Sequence, residues 1–250
     1  LGTPVQERYD LLKSHHATAE KRYYPLAQEV ITGTYVGDYD YVLDLLDRCY
    51  FPTREGVANF HDNFVDALIL AGEEKIAEGK VEQAVTLYKK AITYPENHQV
   101  FLVVARATPD AQINYSLGEA YAALGQDAEA EKYWKLAAEQ DYELKGSKDF
   151  RYWTGLALER LGRKAEAEAI FSALVADGEA AVVTQHVNFY GAEGTTGVTV
   201  DIINSAAYYT QALGHLGLGH RGKAKRLFAE VQRLKPDHLW ANEFMKQFEK

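Results

Sequence analysis

The stretch GEAYAALGQDAEAEKYWKLA, residues 118–137, decides the fold. Gly118 precedes Ala130 by twelve positions, the ring of Trp134 follows four later, and Ala137 closes the pattern. Leu124-Gly125-Gln126 interrupts it with a residue that accepts left-handed backbone at no Cβ cost, so the reading is helix, turn, helix. The arrangement recurs in Gly72, Ala84, Tyr88 and Ala91; in Gly155, Ala167, Phe171 and Leu174; and in Ala212, Ala224, Phe228 and Val231. Gly79, Gly162 and Gly219 fill the turn position each time. A helix pair of this length cannot bury a core alone, so several must stack. The expected fold is therefore all-α, a right-handed α-solenoid of about five helix pairs plus a C-terminal capping helix.

The units differ in length. Ala84, Ala130, Ala167 and Ala224 are separated by intervals of 46, 37 and 57 residues. The excess is expected in loops at 96–110 and 177–204, with a shorter insertion from Asp141 to Lys148. The longest contains Gly178, Gly191, Gly194, Gly197 and the β-branched Val198-Thr199-Val200. Residues 1–62 form an N-terminal helical segment with a degenerate first repeat. There Gly37-Asp38-Tyr39-Asp40 supplies the turn, and Val42, Leu46 and Cys49 take the places of the small and aromatic residues. Residues 63–237 hold the regular array. At 238–250, Leu239, Trp240, Phe244 and Phe248 put an apolar stripe on a final helix that would cap the last pair.

Composition narrows the function. With 47% hydrophobic residues the 250-residue chain has ample material for a core, and a net charge of -9 argues against nucleic acid as a partner. Charge is uneven, since Gly214 to Lys250 carries a net +4 and leaves -13 on the rest. That asymmetry offers self-association through a basic end and an acidic body as one reading, with a solvated terminal face as the plainer one. A single cysteine, Cys49, excludes an internal disulfide and points to a cytoplasmic, reducing setting. No apolar run approaches membrane-spanning length, so a membrane partner is not expected. The chain does not open on Met, which reads as a fragment or processed form.

These residues resemble the tetratricopeptide repeat (TPR). Ala212, His215, Ala224, Phe228 and Pro236 fall at its consensus spacing, as do Gly118, Tyr121, Ala130, Trp134 and Ala137, over roughly residues 63–237. A narrower resemblance rests on Cys49-Tyr50-Phe51-Pro52-Thr53-Arg54-Glu55-Gly56, Tyr94-Pro95-Glu96-Asn97 and Leu216-Gly217-Leu218-Gly219. These look like the TPR tail of bacterial multidomain proteins with an upstream β-sandwich similar to galactose mutarotase. That resemblance implies a bacterial, carbohydrate-related setting and transfers no catalytic residue. The segment His98 to Ala107 departs from the family pattern, which leaves the conformation of that loop open.

In a TPR array the concave groove is lined by the first helix of each pair. The resemblance places Ile69, Tyr115, Tyr152 and Tyr209 along it, flanked by Asp66, Glu73, Gln112, Glu119 and Asp149. Tyrosines offer stacking area with a hydrogen-bonding tip, which suits a peptide or a sugar ring, although 17 tyrosines will place some there by chance. Carboxylates at these places exclude the clamp that other TPR modules close on an acidic peptide terminus. The cluster Tyr50, Phe51, Phe60 and Phe64 has two readings: packing at the junction of repeats, which we favour, or a docking surface for an upstream domain.

No catalytic motif stands out. His15-His16 point about 100° apart on a helix, His61-Asp62 is at most a half-site, and no second cysteine supports a metal. Neither metal nor cofactor is expected. The reading is a noncatalytic scaffold for a protein or peptide partner, or for an upstream domain of the same polypeptide. The rival is an oligosaccharide-binding accessory part of a carbohydrate-active enzyme, with the tyrosines stacking sugar rings and Glu73 or Glu119 meeting hydroxyls.

Overall fold

A computed structural model describes residues 3–52, 60–93, 95–98, 111–140, 148–184 and 200–249. The chain forms two compact units, Leu1–Gly146 and Ser147–Lys250, divided within the insertion read from sequence at Asp141 to Lys148. The first holds α1 (Val5–Ser14), α2 (His16–Ala19), α3 (Tyr23–Val36), α4 (Tyr39–Arg48), α5 (His61–Ala77), α6 (Val81–Ala91), α7 (Ala111–Ala123) and α8 (Asp127–Ala138). The second opens on a 3₁₀ turn, Lys148–Phe150, and continues with α9 (Arg151–Arg160), α10 (Lys164–Ala181), α11 (Val200–Gly217), α12 (Arg221–Leu234) and α13 (Leu239–Lys246). Among the described residues the β-pairing is an isolated parallel bridge between Phe51 and His98. The molecule is all-α and built of repeated helix pairs, as the spacing predicts.

The pairs are α3–α4, α5–α6, α7–α8, α9–α10 and α11–α12, and the two helices of each pack together. Each pair turns on a left-handed glycine with φ between 70 and 83°, at Gly37, Gly79, Gly125, Gly162 and Gly219. The residue after each glycine donates its N–H back across the helix end, as Lys80 does to the Lys75 carbonyl at 2.8 Å and Gln126 to that of Tyr121 at 2.9 Å. Orphan carbonyls are thus satisfied by the backbone itself. Gly37 stands five residues before Val42, as Gly79 does before Ala84 and Gly125 before Ala130. The degenerate first repeat therefore has a regular turn. Val42 and Leu46 are fully buried, and Cys49 is half-buried just past the end of α4.

Rings from the second helix lock each pair. A Cβ on Gly72 would collide with the ring of Tyr88, one on Gly118 with Trp134, and one on Gly155 with Phe171. Tyr88 and Phe171 are only 2% and 1% exposed, so each contributes roughly 1.5–3 kcal/mol of hydrophobic burial that the glycine makes room for. In the last pair Ala212 and Phe228 fill the same places with no exposed area.

Two boundaries differ from the sequence reading. The loop expected at 177–204 begins later and ends earlier, because α10 runs to Ala181 and α11 starts at Val200. Gly178, read as a loop signal, lies inside α10, where a Cβ would stand 2.6 Å from the Ala207 carbonyl oxygen of α11. Close helix approach, not a turn, requires that glycine. Gly191, Gly194 and Gly197 of that expected loop lie outside the described residues, as does most of the 96–110 loop.

Candidate binding surfaces

In the first unit, α5 and α7 are the first helices of their pairs. Asp66, Ile69 and Glu73 follow one side of α5 at three- and four-residue steps, and Gln112, Tyr115 and Glu119 do so on α7. Their surroundings differ sharply. Ile69 is fully buried and Gln112 is 1% exposed, so both belong to the packed interior. Tyr115, Asp66 and Glu119 are half-buried, while Glu73 is exposed. Glu119 accepts the indole N–H of Trp134 at 3.1 Å, which fixes both the carboxylate and the ring that covers Gly118. What remains partly exposed is Tyr115, with Asp66, Glu73 and Glu119 at the matching helical positions.

The cluster of Tyr50, Phe51, Phe60 and Phe64 divides. Phe51 stacks on Phe60 at 4.1 Å, and His98 sets its edge against Phe51 and Phe64 at 5.2 and 5.1 Å. All three phenylalanines are at most 5% exposed. The Asn97 side chain donates to the Leu46 and Cys49 carbonyls at 2.8 and 2.6 Å, and His98 Nε2 meets the Leu46 carbonyl at 2.8 Å. Burial holds the His98 imidazole below its ordinary pKa. These groups cap the end of α4 and bind it to the chain after α6. Tyr50 alone of the four stays 54% exposed, on the wall of a concavity of about 510 Å³ shared with Lys21, Arg22 and Cys49.

A polar network joins α1 to α4, and the sequence reading missed it. Glu29, with no exposed area, accepts from the Tyr41 hydroxyl at 2.7 Å and faces His16 Nδ1 at 3.0 Å. His16 Nε2 in turn lies 3.1 Å from Glu20, and Tyr9 donates to Asp38 at 2.6 Å. Burial raises the phenols of Tyr9 and Tyr41, and each carboxylate partner adds to the rise. The adjacency of His15 and His16 drew attention to a metal, yet His16 is engaged by carboxylates. A helical charge at a three- or four-residue step from apolar positions was the available signal, and Glu29 gives it three residues after Leu26.

In the second unit Asp149 accepts from the Thr210 hydroxyl, and burial raises its carboxyl pKa despite Thr210 and Arg151. Tyr152 and Tyr209 are 6% and 5% exposed. Part of their cover comes from α13, beside Phe171 on Tyr152 and Phe228 on Tyr209. Phe244 meets Tyr152 edge-on at 5.7 Å, Trp153 at 6.3 Å and Tyr209 at 6.4 Å, and it stacks on Phe228 at 5.2 Å. Trp240 meets Trp153 at 6.1 Å, and the His238 ring lies 4.5 Å from Tyr209. The sequence reading placed these two tyrosines along an open groove. It did not show that another helix of the chain would lie across them.

Among the described residues no three His, Cys, Asp or Glu side chains converge as a metal site. His215 and His220 bring Nδ1 atoms within 3.3 Å across the last turn, where burial and the neighbouring Lys223 and His220 lower the His215 pKa. Burial also raises the Cys49 thiol, which disfavours the thiolate a nucleophile needs. No described helix is long and apolar enough to cross a membrane.

Comparison with known proteins agrees with the repeat pattern. Among solved structures, YrrB, described as a TPR protein with an unusual peptide-binding site, is 16% identical over 94% of this chain and 97% of that one, with a TM-score of 0.34. A structure of MamA AMB-1 is 18% identical over 84% and 98%, with a TM-score of 0.32. No curated protein matches the chain. A tetratricopeptide-repeat family model matches residues 69–143 and again 137–181, leaving the fourth sequence repeat, at α11–α12, outside the match. Residues 69–181, which take in α6 to α10, thus match the tetratricopeptide-repeat pattern.

Proposed function

We propose that the chain is a noncatalytic scaffold that holds a protein or peptide on the inner faces of its repeat helices. TPR repeats as a class serve protein interaction, and the observation that carries the reading here is the surface of α5 and α7. Tyr115 is half-buried there with Asp66, Glu73 and Glu119 at the same helical register. A ring fixed on a rigid helix gives contact area at little entropic cost, and carboxylates favour a partner segment bearing Lys or Arg. An acidic peptide would be repelled.

The test is selection of peptides from a displayed library on the whole chain, followed by fluorescence anisotropy. The selected peptides are expected to be cationic, to bind more weakly as salt rises, and to lose at least about tenfold affinity on Tyr115→Ala or Glu73→Lys. Circular dichroism of each variant keeps loss of helix apart from loss of binding. Binding that neither substitution changes would move the site off α5 and α7.

The upstream mutarotase-like domain and the bacterial, carbohydrate-related context belong to this proposal and rest on the resemblance of the 49–56, 94–97 and 216–219 segments, while the cytoplasmic setting rests on the single cysteine. A defined oligosaccharide panel run beside the peptides separates the two readings. Saturable glycan binding lost with Tyr115→Ala would favour the sugar.

A further inference from the structure

The last helix lies where a ligand of the second unit would lie. A helix that merely closes a repeat array needs to cover the final pair, here α11 and α12. The helix α13 does more. Besides Phe228 of α12 and Tyr209 of α11, Phe244 touches Tyr152 and Trp153 of α9, the first helix of the preceding pair. Trp240, one turn before Phe244, also reaches Trp153. Two aromatic residues at i and i+4 thus enter a floor made by Tyr152, Trp153 and Tyr209, which is how an amphipathic helical segment binds a groove.

The contact is also built to be reversible. Two turns of helix are marginal on their own, so docking must supply the stability of α13. Yet Ala241 is the buried residue of α13, and Trp240, Phe244 and Phe248 are each half-buried. The floor beneath is far better buried, with Tyr152 and Tyr209 at 6% and 5%. Polar ties to α12 lie at the rim: Gln232 donates to Asn242 at 2.9 Å, and the Arg221 guanidinium reaches the Gln247 carbonyl at 3.5 Å and lies 5.0 Å over the Phe248 ring.

We infer that α13 is a resident ligand of the second unit, held on Tyr152, Trp153 and Tyr209 until a helical segment with aromatic residues four apart displaces it. The inference rests on the scaffold reading above, and it assigns this surface its partner chemistry and its regulation. An aromatic pair on one helical face is the recognition element, and the tether keeps α13 at high effective concentration, so a competitor must exceed the self-contact. Binding is therefore weak until α13 is loosened.

The experiment uses the whole chain and a labelled synthetic peptide of residues 236–249. Phe244→Ala weakens the resident helix without touching the floor. The variant is expected to bind the peptide at least about tenfold more tightly than wild type, and adding Tyr152→Ala is expected to abolish the gain. Equal affinity in wild type and Phe244→Ala, or no binding by a variant whose helix content is unchanged, would overturn the inference. Hydrogen exchange on the wild type covers the case of an unfolded variant. Opening of α13 amides at lower free energy than those of α11 and α12 is expected, and one shared opening would make α13 a plain structural cap. Either negative result leaves the α5–α7 surface of the first unit, and its Tyr115 test, untouched.

Discussion

Asn97 shows how much a single side chain can organise. Its amide donates to the Leu46 and Cys49 carbonyls and so closes the end of α4, which the backbone there leaves open. Asn97→Ala is expected to destabilise the chain by about 1–3 kcal/mol, because it leaves partly buried carbonyls without that donor; urea denaturation measures it. The small residues were legible at this scale. Gly72, Gly118 and Gly155 each sit under the ring that the spacing assigns to them, since steric fit leaves few choices. The partners of Asn97 and His98 were not legible. They lie about fifty residues away along the chain, and no periodicity carries that distance.

At the scale of the element, α13 depends on a histidine that must stay neutral. His238 Nδ1 accepts the Ala241 N–H at 3.2 Å as the helix cap, and its ring packs on Tyr209. Burial, aided by Lys235 and opposed by the backbone and Asp237, lowers its pKa to about 4. The folded value is below the unfolded one of about 6.5, so the unfolded chain binds the proton more readily. The stabilisation is complete above about pH 6.5 and is lost as pH falls toward 4, by as much as about 3 kcal/mol. Asparagine also caps helices but does not titrate in this range. Urea midpoints of wild type and His238→Asn at pH 7 and 4.5 should therefore show the larger acid loss in wild type. His98 shifts in the same direction but is present in both proteins, so the difference between them isolates His238. Sequence named this helix and its apolar stripe. Its bed could not be read, because Tyr152 and Trp153 are nearly ninety residues earlier and belong to a non-adjacent helix.

Across the whole molecule, helical repetition was plain because five turns share one chemistry, left-handed glycine with a backbone bond across it. The division into two units was not, although it falls in an insertion whose length was. Nor could the tyrosine row be sorted from sequence into exposed and covered members. Register fixes the side of a helix on which a residue stands, whereas exposure depends on what else packs there. Tyr115 remains half-buried, and Tyr152 and Tyr209 lie beneath α13. The central claim is that this chain holds a peptide on the inner face of its repeats. Hydrogen-exchange mass spectrometry of the whole chain, with and without a library-selected peptide, tests it most directly. Slowed exchange along α5 and α7, absent in Tyr115→Ala, is the predicted result. Protection confined to other helices, or unchanged by that substitution, would contradict the account.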